Sequence, residues 1–238
     1  MKIIDESLFG HKVINGIVTR NNDLFPEFGF SISNTPKINQ DYIKNCRTHL
    51  ANQLQIDEKN IVKLTQIHSD NIEIINDISI QSEADSLITN MKGICITVSL
   101  ADCLGILVYD PINVVIAAIH SGWQGTKLDI VGKTIQKLIT NFNSTSEDLL
   151  FYLSPSASVD NYEVGPEFLD YFPNSVEIRN NKYYFDNRKT VINQILNKNC
   201  KFENIIASEI DTISDLEMQS HRRDKENAGR MSAYIMLK

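Results

Sequence analysis

The chain is short of several things, and each shortage excludes something. Its four cysteines, Cys46, Cys95, Cys103 and Cys200, are scattered and form no Cys-x-x-Cys pair, which argues against a disulfide framework and favours a reduced compartment. Basic residues are outnumbered, 23 against 30 acidic, for a formal charge of −7. The one dense cationic cluster, His221-Arg222-Arg223 with Lys225, is interrupted by Asp224 and Glu226, so nucleic acid is not the expected partner. No apolar run approaches the ~18 residues of a membrane span. Acidic side chains at Asp5 and Glu6 stand where a secretory leader needs its apolar core. The expectation is a cytoplasmic protein without a membrane partner. No repeat, low-complexity tract or Pro/Gly/Ser-rich linker divides the chain, so residues 1–238 are expected to form one domain.

What is present suits a self-sufficient core. With 238 residues, 42% of them hydrophobic, a chain buries roughly 70–75% of its unfolded surface. Tyr42, Ile43, Cys46, Leu50 and Leu54 recur at helical spacing and predict a helix over residues 41–54, capped by Asn39 or Asp41. Strand-like runs at 61–67 and 71–75 flank His68-Ser69-Asp70. Further strands are predicted at 93–98, 104–109, 114–119, 149–153, 205–206 and 232–237, and helices at 126–142 and 190–196. Strands and helices are mixed without a βαβ rhythm, which predicts an α/β or α+β layered fold with a largely antiparallel sheet.

The centre of the chain carries the most information. Asp110-Pro111-Ile112-Asn113 has turn chemistry between two apolar runs, the signature of a buried hairpin. A turn centred between Pro111 and Ile112 sets Cys103 opposite His120 on one face, with Cβ atoms about 4.5–5.5 Å apart. A thiolate and an imidazole so placed can share one metal ion. A single bulge would send one of them to the other face. A third donor, His68, sits in another strand-to-strand break. Against this stands the ordinary reading of each residue alone: a cysteine in an apolar strand is a small hydrophobe, and single histidines are hydrogen-bonded structural residues. Gly122-Trp123-Gln124-Gly125 before a helix brings backbone N–H groups together, as anion sites do; the plainer reading is a tight turn. It lacks the lysine and hydroxyl of a P-loop.

Gln66-Ile67-His68, Ala84-Asp85-Ser86-Leu87-Ile88-Thr89, Ala101-Asp102-Cys103-Leu104 and Ala118-Ile119-His120-Ser121-Gly122-Trp123-Gln124-Gly125-Thr126 resemble, in order, the motifs of the laccase-domain (YfiH-like) family. That family was first labelled polyphenol oxidase and later identified with purine nucleoside phosphorylase activity. The likeness continues through Asn161-Tyr162-Glu163-Val164-Gly165, Ser220-His221-Arg222-Arg223-Asp224 and Ala228-Gly229-Arg230-Met231, from about His11 onward. It implies a layered α/β/β/α sandwich with mixed, largely antiparallel sheets and a site at which His68, Cys103 and His120 bind zinc. The activity it implies is phosphorolysis of adenosine, inosine, guanosine or methylthioadenosine by phosphate, with adenosine deamination at the same site.

The residue types suit that chemistry. Three protein ligands leave a fourth zinc position open. The H-x-E with P-C-x-x-C signature of the common zinc deaminases is missing, so that scaffold is excluded. Asp85 or Asp102 is expected to orient a histidine ligand. Arg47, Arg222, Arg223 and Arg230 are candidate phosphate ligands, with Gly122 and Gln124 on the substrate side. The chain departs from the family pattern at Gln124, where arginine is usual, at Ser31, where asparagine is common, and at Asp211, which replaces a cysteine. The departures at Gln124 and Ser31 motivate a second reading, a metal- or nucleoside-binding regulatory protein with weakened turnover. A copper phenol oxidase ranks below both, because five histidines (11, 49, 68, 120 and 221) do not readily populate a multicopper cluster.

Overall fold

A computed structural model of the chain describes residues 9–238; the acidic residues Asp5 and Glu6, on which the expectation about a leader rests, lie outside the described residues. Two sheets stack face to face. One has four strands in the order Val13–Val18, Met231–Leu237, Cys95–Leu100 and Ile61–Val62. The other has six, in the order Ile205–Ala207, Leu150–Leu153, Leu104–Asp110, Val115–Ser121, Ser86–Thr89 and Ile72–Ile74. Pairing is antiparallel except at Ile61–Val62, Ile72–Ile74 and Ile205–Ala207, which run parallel to their neighbours. A three-stranded sheet of Glu163–Val164, Val176–Arg179 and Lys182–Phe185 forms a separate flap.

Side-chain alternation builds the layers. Ile96, Val98 and Leu100 of the smaller sheet meet Leu107, Tyr109, Ile116 and Ala118 of the larger one. The intervening residues of the larger sheet, Ile106, Val108, Ala117 and Ile119, pack on helices Ile130–Phe142 and Asn187–Leu196. On the far side, helix Gln40–Leu54 lays Cys46, Leu50, Ala51 and Leu54 against Cys95, Tyr234 and Met236. The result is the expected α/β/β/α sandwich. With both sheet faces covered, every residue of Leu104–Asp110 and Val115–Ser121 is buried, which is why those strands read as continuous apolar runs rather than as alternating ones. No described helix is long and apolar enough to cross a membrane.

Helix Gln40–Leu54 starts where the sequence places it, with Asn39 accepting from the Tyr42 N–H. Three expectations change. The hairpin closes through four residues, because the Asp110 carboxylate accepts from the N–H groups of Ile112 and Asn113 and Val114 takes a left-handed φ of 53°. The register therefore sets His120 opposite Gly105, not Cys103. This is a slip of two residues, which by the period-two alternation leaves His120 on the expected face; Cys103 lies in the bend before the strand. The helix expected over 126–142 is two helices, Trp123–Lys127 and Ile130–Phe142. Asp129 in the left-handed region breaks it and caps the second helix on the Gly132 N–H, a position where a Cβ would strike the Asp129 carboxylate at 2.3 Å. The expected strands at 61–67 and 71–75 shrink to Ile61–Val62 and Ile72–Ile74, since between them the chain turns to serve the site.

Candidate metal centre

The site is assembled around one carboxylate. Asp85 is fully buried at the mouth of strand Ser86–Thr89. Its Oδ1 accepts from the His68 N–H at 3.1 Å and faces His120 Nδ1 at 2.8 Å. Its Oδ2 accepts from the Ile67 and Ser69 N–H groups and from Ser69 Oγ. One side chain thereby folds the 67–69 loop and fixes the His120 ring. His68 sits in the left-handed region at φ 59°, uncommon for a residue with a Cβ; three N–H donors held by Asp85 offset that cost.

With Nδ1 committed to Asp85, His120 has only Nε2 left for the cavity. The ligand atoms of His68, Cys103 and His120 lie within 4.8 Å of one another, and Cys103 Sγ is 3.9 Å from His68 Nε2. The rings of His68 and His120 meet edge to face at 4.8 Å. Around a tetrahedral zinc, Zn–S and Zn–N bond lengths give an S···N separation of ~3.6 Å. The donor set and its span fit one metal ion, with a small inward movement of the ligands. Gly122 closes the back: a Cβ there would stand 3.0 Å from both Cys103 Sγ and His68 Cδ2.

Charge follows the geometry. Burial pushes the Cys103 thiol up, but the facing His120 and His68 imidazoles outweigh it and hold it at about 6. Burial pushes His120 down, but Cys103 and Asp85 raise it to about 9. Asp85, raised by burial, is brought to about 2 by His120 and Ser69. Without a cation the pair is a thiolate facing an imidazolium, and a metal ion would displace that proton.

The three donors open into a cavity of about 480 Å³ that also takes in Gln66, Lys63, His221 and Arg230. Gln66 is locked to the Ser99 backbone by two hydrogen bonds. His221 Nδ1 is 3.0 Å from the Lys225 carbonyl, which turns Nε2 outward. Of the residues singled out in the sequence, Arg230 lines this cavity, its guanidinium also bonded to the carbonyls of Ala228 and Gly229. Arg47 lines the neighbouring cavity. Arg222 lies outside, over the Tyr162 ring and bonded to the Glu163 carbonyl. Arg223 is spent on the carbonyls of Thr212, Ile213, Asp215 and Met218. Gln124 is exposed on the short helix after Gly122.

Of the two aspartates expected to orient a histidine, Asp85 does so. Asp102 instead accepts from Thr212 Oγ1 and the Arg222 N–H, pinning the Cys103 loop to the C-terminal segments. Asp211 uses both oxygens on Ser158, Asn161 and Ser214, holding the next loop. Sequence reasoning gave no role to Lys63 or to His221; the latter lay inside a recognised motif, whereas nothing in the sequence marks Lys63.

Comparisons with known proteins place the chain among its relatives. The family described as multi-copper polyphenol oxidoreductase laccase matches residues 27–238. A purine nucleoside phosphorylase of Clostridium acetobutylicum is 36% identical over 185 residues, 76% of this chain and 78% of that protein. One of Aquifex aeolicus is 33% identical over 173 residues, 72% of this chain and 81% of that protein. Among solved structures, hypothetical protein YfiH of Bacillus licheniformis superposes with a TM-score of 0.88 at 23% identity, over 95% of this chain and 93% of the other. YlmD of Geobacillus stearothermophilus does so at 0.87 and 21%, over 99% and 98%. The fold is shared with those structures, and on the family match over residues 27–238 together with the 36% identical relative the chain belongs to the laccase-domain (YfiH-like) family.

Proposed function

We propose that this protein is a purine nucleoside phosphorylase that acts on adenosine, inosine, guanosine or methylthioadenosine with phosphate, that it also deaminates adenosine, and that His68, Cys103 and His120 hold a zinc ion. The observation that carries the reading is the convergence of those three side chains on a cavity of about 480 Å³, a size that suits a small-molecule ligand, in a chain similar to two purine nucleoside phosphorylases.

In phosphorolysis a phosphate oxygen forms a bond to ribose C1′ as the C1′–N9 bond breaks. Its electron pair leaves with the purine, which takes up a proton. Zinc, when bound, supplies a Lewis acid and a lowered pKa for a bound water. The chain's own residues do the rest. Asp85 holds the proton on His120 Nδ1 and keeps Nε2 facing the cavity, Gly122 leaves room for the three ligands, and Arg230 lends positive charge at the wall. Gln124, where the family carries arginine, lies outside the cavity lining and leaves the cluster intact. The histidine count disfavours a copper cluster: among the described residues, His68, Cys103 and His120 are the one group of three such donors.

Incubation of the metal-replete protein with adenosine or inosine and phosphate is expected to release free base and ribose 1-phosphate. Cys103→Ala should remain folded by circular dichroism yet lose bound metal and turnover, by more than the ~100-fold that follows from losing a mere supporting partner. Full activity in that variant would remove the assignment.

A further inference from the structure

Beside the His-Cys-His cavity lies a larger one, of about 680 Å³. The two share a wall made by Asn34, Lys63, Leu64 and Thr65. Lys63 is half-buried in that wall and, among the described residues, has no hydrogen bond or ion pair; the charge it feels is that of another cation, Arg47. Arg47 gives Nη2 to the carbonyls of Glu58 and Ile61, which tethers helix Gln40–Leu54 to strand Ile61–Val62 and turns the guanidinium to the cavity. The acid that acts on Arg47, Glu58, also accepts from Thr48 Oγ1 at 2.5 Å. Lys59, which also lines the cavity, pairs with Asp57, and Glu83, an exposed carboxylate of the same cavity, is bridged through its backbone to Thr65 in the shared wall. Burial disfavours the charged forms of both Lys63 and Arg47; Arg47 adds to the cost at Lys63, while Glu58 and Cys95 partly offset it at Arg47. Two cations drawn from water in one cavity, one of them without an ion pair, carry an electrostatic cost that an incoming anion would relieve.

We propose that Lys63 and Arg47 form a phosphate-binding subsite at the junction of the two cavities. A lysine point charge beside a planar guanidinium suits a tetrahedral oxyanion with several oxygens, and the junction opens directly towards the metal centre. The phosphate comes either free, as the co-substrate of phosphorolysis, or attached to a nucleoside as its 5′-monophosphate. The first source rests on the phosphorylase reading given above, whereas oxyanion binding itself rests on the cavity and its two cations.

Binding of inorganic phosphate and of adenosine 5′-monophosphate to the full chain, followed by titration calorimetry, tests this. Lys63→Met is expected to weaken at least one of the two by about tenfold, the loss of one charge-assisted contact, and Lys63→Arg to restore it. Circular dichroism verifies the fold of both variants. Lys63-dependent binding of phosphate identifies the free anion as the ligand; Lys63-dependent binding of the monophosphate alone identifies the nucleotide. Equal affinity of wild type and Lys63→Met for both, or no binding of either to wild type, overturns the subsite. The two proposals fail separately. Lys63-dependent binding without phosphorolysis removes the phosphorylase reading and keeps the subsite, while phosphorolysis with both anions bound equally by wild type and Lys63→Met removes the subsite and keeps the reading.

Discussion

Cys95 and Cys103 are eight residues apart, at opposite ends of one strand connection, and the structure drives their thiols in opposite directions. Cys95 opens strand Cys95–Leu100 and faces helix Gln40–Leu54 in an apolar cluster; burial pushes its thiol up to about 12, against a small opposing pull from Arg47. Cys103 closes the bend that follows the same strand, and there two imidazoles overcome burial and bring the thiol to about 6. Desolvation acts on both. What differs is whether the fold delivers positive partners to the sulfur, and at Cys103 it does so through Asp85, which positions both histidines.

The largest expected effect follows directly. Iodoacetamide at pH 7.5 should label Cys103 of the metal-free protein on the order of a thousandfold faster than Cys46, Cys95 or Cys200, the thiols that burial pushes up, because only the thiolate reacts. Peptide mapping by mass spectrometry reads this out, and comparable labelling of Cys95 would break the contrast. Next, Asp85→Asn should weaken zinc binding by about 10–100-fold, the usual effect of losing an orienting partner, measured by competition with a chromophoric chelator. An amide cannot accept at both ends, so the loop N–H groups of Ile67 and Ser69 lose their acceptor as well, and unchanged affinity would mean that the 67–69 loop holds itself.

Gly122→Ala tests the space behind the cluster. Its methyl, 3.0 Å from Cys103 Sγ and His68 Cδ2, should displace a ligand at a cost of about 1–3 kcal/mol, seen as roughly tenfold weaker zinc binding in the same assay. The smallest effect belongs to the remote carboxylate. Burial raises the Asp211 carboxyl, but bonds from Ser158, Ser214, Asn161 and Ile213 hold it below the usual range. A depressed carboxyl stabilises the fold above the unfolded value, near pH 4, and this contribution is lost as the pH falls through the lower folded value. Asp211→Asn should therefore cost about 1 kcal/mol at neutral pH, given partial solvent screening, and the gap in urea midpoint between variant and wild type should close as the pH drops below 4. A gap that persists there would assign the loss to packing.

The two faces of the hairpin explain why the sequence came close. Its apolar runs are legible because both faces are buried; the expected pairing of Cys103 with His120 does not hold, yet the two donors still converge because the bend before the strand brings Cys103 to the histidines. The break at Asp129 was not legible: the periodicity of Val131, Ile135 and Leu138 continues through the helix, and only the left-handed Asp129 shows where it starts. The strands Val176–Arg179 and Lys182–Phe185 are half-exposed and mix charged with aromatic residues, so they carried no clear period. Asp85 and Asp102 are both acids next to ligand motifs, so the sequence alone does not separate them. Their different duties arise from neighbours 110 residues or more away in the case of Asp102, whose carboxylate reaches Thr212 and Arg222.

By itself the sequence determined the layers, since hydrophobic periodicity and cap residues act within a few positions of themselves, and its ordered motifs named the three metal-site residues. The tertiary structure decided which of the arginines face a cavity, which aspartate organises the histidines, and that an unpaired lysine stands between two cavities. Those are matters of long-range proximity and of desolvation, and neither is encoded in any local spacing.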